Sequence, residues 1–82
     1  MQYEEFRKLS QEEQHKLVSN KGVMLRERLT HSFLIFLYGL DGFYIELFFH
    51  KKSGVFATLK PFDNLDELSP YLEDIDLGKL LN

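Results

Sequence analysis

Glu46 stands inside an otherwise apolar run, "GFYIELFFH", with Tyr44 two positions before it and His50 four after. A carboxylate that shares a strand with a phenol and an imidazole, and faces a lysine, has the makings of general acid–base catalysis. The plainer reading is a cross-strand pair between Glu46 and Lys60 on a half-exposed sheet, typically contributing about 0.2–1 kcal/mol. The plainer reading is preferred, because no nucleophile and no glycine-rich oxyanion loop accompanies the acid. The chain is therefore expected not to be an enzyme.

The other chemistry-bearing residues point the same way. His15, His31 and His50 lack the close spacing that marks a metal site, so neither a metal nor a cofactor is expected. Arg26 and Arg28 alternate with Glu27 and, with Glu46 and Lys60, could form a shallow anion or small-molecule site. A solvated edge strand guarded by charge accounts for them more simply. Lys51 and Lys52 read as turn residues. Gly39, Gly42 and Gly54 serve turns or close strand contacts and do not make a phosphate loop.

The elements that hold these residues are legible in the pattern. Asp41-Gly42 separates two apolar runs, and Asp-Gly is the residue pair that a type I′ hairpin turn demands. Strands are predicted over 33–40 and 43–50. "KKSG" at 51–54 predicts a type I turn closed by Gly54 in the left-handed conformation, with a G1 bulge, leading to a strand over 55–60 that Pro61 stops. Residues 23–28 read as a first strand of mixed polarity. Before it, residues 3–19 are helical, with Phe6, Leu9, Leu17 and Val18 able to share a face that Ser10 and Gln14 interrupt. Ser10 with Glu13 matches a capping box, which predicts a short first turn and a second helix over 11–19. Gly22 is placed where a helix end favours positive φ. After Pro61, Asp63 or Asn64 caps a helix bearing Leu65, Leu68, Tyr71 and Leu72, split by Pro70. Asp76 caps a last turn with Leu77, Leu80 and Leu81.

The fold class that follows is α+β: an N-terminal helix broken near Ser10, a four-stranded antiparallel meander, and C-terminal helical segments packed on one sheet face. At 82 residues one domain is expected. So small a domain buries roughly 60–65% of the surface its unfolded chain exposes, and the eight Phe and four Tyr supply much of its core.

A two-residue turn fixes the hairpin register and so the faces. Leu40 with Phe43, Tyr38 with Ile45, Phe36 with Leu47 and Leu34 with Phe49 share one apolar face, joined by Val55, Ala57 and Leu59, which both helical segments are expected to cover. The other face carries Ile35, Leu37, Tyr44, Glu46, Phe48, Phe56 and Lys60, with Glu46 opposite Lys60 and His50 opposite Phe56. Large apolar groups left uncovered beside polar ones suggest an interaction face. Symmetric self-association is the most economical partner, with a different protein, or a monomer whose long side chains shelter the face, as alternatives.

Charge narrows the partner class. The formal net charge is −3, which argues against nucleic acid. Residues 63–82 hold six acids against Lys79, whereas residues 21–62 hold six bases against three acids. There is no cysteine, so no disulfide contributes. The start "MQYEEFRK" is unlike a secretory leader, and the longest apolar run is too short to span a bilayer. A soluble, cytoplasmic protein that does not bind membranes is expected.

"EEFRKL", "GFYIEL" and "LSPYLEDIDLGKL" together resemble a family of short, uncharacterised Bacteroidetes-type bacterial proteins. The most specific parts are Phe43-Tyr44-x-Glu46 and Pro70-Tyr71-Leu72 followed by Ile75-Asp76-Leu77. The resemblance covers most of the chain. It implies a grouping, with no activity and no catalytic residue to carry over.

Overall fold

The computed structural model describes residues 1–72. Two helices, α1 (Tyr3–Arg7) and α2 (Gln11–Lys21), precede four strands: β1 (Val23–Leu29), β2 (Phe33–Leu40), β3 (Phe43–His50) and β4 (Phe56–Phe62). A 3-10 turn (Leu65–Leu68) then runs into a single helical turn, α3 (Ser69–Leu72). The strands form one antiparallel sheet in the order β1-β2-β3-β4. The fold is α+β with a four-stranded meander. The last predicted turn, with Asp76, Leu77, Leu80 and Leu81, lies outside the described residues.

The break between the two helices has a clear cause. The Ser10 hydroxyl accepts the Glu13 N–H at 3.2 Å and starts α2. Gln14, which interrupts the apolar stripe, is buried, and its amide donates to the Phe6 carbonyl at 2.9 Å. It thereby satisfies the end of α1 and fixes the angle between the helices. Gly22 does not adopt the positive φ expected of it: its φ is −72°. Space requires the glycine instead, since a Cβ there would lie 2.7 Å from the Val18 carbonyl oxygen.

The central hairpin has the predicted bounds and register, from Leu40 opposite Phe43 to Phe33 opposite His50. Asp41 at φ 47° and Gly42 at φ 91° make the tight turn. Its apolar face meets the helices. Phe6 and Val18 pack with Leu40, Phe43, Ile45, Leu47 and Leu59 as the main core. Burying each such side chain contributes about 1.5–3 kcal/mol.

Two expectations for β4 fail for a local reason. Thr58 pairs with Phe48, yet Phe56 pairs with Phe49, so the register slips by one residue at Ala57. That bulge transfers Phe56 to the helix-covered face, where its ring meets Phe49 at 5.7 Å and stacks on His15 at 4.7 Å. Phe56 therefore does not face the same side as Glu46, nor does it oppose His50. Pro61 does not stop the ladder either. It pairs with Ile45, and β4 continues to Phe62, because an edge strand tolerates proline where the missing N–H would point to solvent. Gly54 does take a positive φ, 75°, in the preceding loop.

The C-terminal helical segment packs on one sheet face, and that face is the one bearing Glu46. Phe62, Leu37 and Tyr71 are buried together, with Tyr44 and Leu68 against them. The helical parts thus lie on opposite sides of the sheet, where the sequence suggested a shared side. Phe62 faces Tyr44 across the ladder, and the two-residue link Asp63-Asn64 carries the chain directly onto that side. Asn64 caps the 3-10 turn by accepting the Asp66 N–H at 2.9 Å. No helix among the described residues is long and apolar enough to cross a membrane.

Candidate functional site

Glu46 is 4% exposed and has two partners, neither of them Lys60. The Arg28 guanidinium donates to Glu46 Oε2 at 3.1 Å, reaching diagonally across β2. The Tyr71 hydroxyl donates to the same oxygen at 2.7 Å. The guanidinium also lies 5.2 Å from the centre of the Tyr71 ring, so the three groups form a closed triangle. Burial raises the Tyr71 phenol well above its usual range, and its bond to Glu46 adds to the shift against the opposing Arg28 charge.

Lys60 does oppose Glu46 in the ladder, as the register requires. Its ammonium instead pairs with Glu67 Oε1 at 3.3 Å, on the 3-10 turn. Arg28, Glu46 and Lys60 are therefore committed to internal pairs, and Arg26 makes no ion pair among the described residues. The four residues considered for an anion site are not brought together as one.

The expected interaction face is likewise divided. Ile35 and Leu37 are 1% and 2% exposed, and Glu46 is closed off by Tyr71. Tyr44 is half-buried and stacks on Phe62 at 5.5 Å. Phe48 is half-buried, with Phe33 edge-on at 5.7 Å, and Phe56 is on the other face. Tyr71 is the residue that sequence reasoning misplaced. A buried tyrosine needs a partner for its hydroxyl, and the one acid in an apolar strand is a natural acceptor, which is the signal that could have joined them.

Among the described residues, the most extended run of exposed apolar side chains lies elsewhere, on β1. Val23, Met24, Leu25 and Leu29 are 63%, 48%, 46% and 64% exposed. β1 ends the sheet, so its outer backbone groups meet no strand among the described residues. A bulge places Leu25 over Gly39, where a Cβ would come within 3.2 Å of Leu25 Cδ1. The opposite edge is protected. On β4 the imide nitrogen of Pro61 and contacts from Gln11 to Thr58 and from Tyr3 to the Pro61 carbonyl obstruct pairing, features that β1 lacks among the described residues.

No family model, curated protein or solved structure matches this chain, so its function is argued from its own residues.

Proposed function

We propose that the protein is a non-enzymatic interaction module that self-associates along the edge of β1. The observation that carries the reading is the concentration of exposed apolar side chains there: among the described residues, four of the seven large exposed apolar residues belong to one edge strand whose outer side pairs with no strand. The surface differs from the sheet face first expected, because Tyr71 and its neighbours occupy the middle of that face. A second copy suits the edge for a geometric reason. A two-fold axis pairs a strand with itself in antiparallel fashion, so each outward N–H and C=O finds the same group set on the partner. The same operation sets the apolar start of β1, Val23 and Met24, against the apolar end, Leu29, of the other copy. The product is a continuous eight-stranded sheet with both exposed edges formed by the protected β4. Light scattering on the wild type and on a Val23→Lys, Leu29→Lys double variant tests this. A dimer at micromolar concentration that the variant converts to a folded monomer supports the reading. A wild-type monomer contradicts it.

A further inference from the structure

The loop end of the sheet carries a second feature. The β1–β2 connection and the β3–β4 loop form a cleft of about 310 Å³ lined by His31, Ser32, His50, Lys51 and Lys52. We propose that this cleft binds a small phosphate-bearing molecule. This goes beyond self-association and uses none of the β1 edge residues.

The donor set is one-sided. Two ammonium groups, two imidazoles and a hydroxyl all supply hydrogen-bond donors, and no carboxylate lines the cleft. None of these side chains makes an ion pair among the described residues. Of the other cations, Arg7, Arg28 and Lys60 are each paired with an acid, and Lys8, Lys16, Lys21 and Arg26 make no ion pair among the described residues but do not line this cleft. In a chain of net charge −3, unpaired cations gathered at one end create a local field of the opposite sign, and a bound anion relieves their mutual repulsion.

The loops are also held before any ligand arrives. The Lys51 N–H donates to the Ser32 carbonyl at 3.0 Å and ties one loop to the other. The His50 N–H donates to the Val55 carbonyl at 2.8 Å, and the Gly54 N–H to the His50 carbonyl at 2.7 Å. On the other side the Thr30 N–H donates to the Phe33 carbonyl at 2.8 Å. The Phe33 ring lies 5.4 Å from the His50 ring and backs it. Donors carried on two tied loops, on two sides of a cleft, suit a tetrahedral oxyanion, whose oxygens accept from several directions, better than a planar carboxylate. The volume stands at the lower end of the roughly 300–1,000 Å³ usual for ligand sites, which fits a phosphate with a small organic part.

The test is a titration of the ¹⁵N-labelled chain with inorganic pyrophosphate, and separately with phosphate, followed by amide shifts. Saturable shifts centred on Ser32, Lys51 and Lys52 are expected. Lys51→Gln, Lys52→Gln should weaken binding about tenfold, while the charge-matched control Lys16→Gln, Lys21→Gln leaves it unchanged. Amide spectra of both variants report whether the fold is kept. Equal weakening by the two variants, shifts scattered over all the lysines, or no saturation at a concentration on the order of 10 mM would overturn the proposal.

Discussion

Glu46 owes its position to a strand register and its partners to tertiary packing. The register placed Lys60 directly opposite, but a lysine stem is long and turns readily, and the Glu67 carboxylate on the 3-10 turn captures it. Arg28 comes from two strands away and Tyr71 from beyond the sheet, so no local spacing announces either. Removing Arg28 leaves a buried carboxylate without its counter-charge. Arg28→Met should therefore cost about 3 kcal/mol in urea unfolding, against under about 0.5 for Arg26→Met on the same strand. Tyr71 supplies a pH test. Its phenol is raised in the folded chain, so the native state holds the proton more tightly than the unfolded state does. The stabilisation is complete below the ordinary phenol pKa of about 10 and is lost as pH rises above it. Stability of the wild type should fall above about pH 10, and Tyr71→Phe should flatten that decline.

Among the elements, the β2–β3 hairpin was fully legible. Asp41-Gly42 has one favoured turn, and its two-residue length left no freedom in the register. The two-helix start was legible in the Ser10 cap. The bulge in β4 was not, because Ala57 carries no side chain that marks it, and missing it put Phe56 on the wrong face. Gly22 shows a further limit. The residue was placed at a helix end correctly, but its reason is proximity to the Val18 carbonyl, which accepts the Gly22 N–H at 2.8 Å where α2 ends. Gly22→Ala should destabilise the chain by about 1–3 kcal/mol through that clash, measured by thermal or urea unfolding. If Gly22→Ala were neutral, the tight approach of Gly22 to the Val18 carbonyl would not be a constraint.

For the whole molecule, the decisive choice is that the C-terminal segment covers the Glu46 side while α1 and α2 cover the other. Sequence pattern supplies apolar segments without saying which face each will meet, so the two arrangements read alike. The consequence is that the exposed apolar surface moves from the sheet face to the β1 edge. Amide hydrogen exchange measured at several protein concentrations tests the β1 claim most directly. The outward-pointing N–H groups of β1 should gain protection as concentration rises through the dimerisation range, while those of β4 stay unchanged. Exchange on β1 that stays fast and independent of concentration would contradict it.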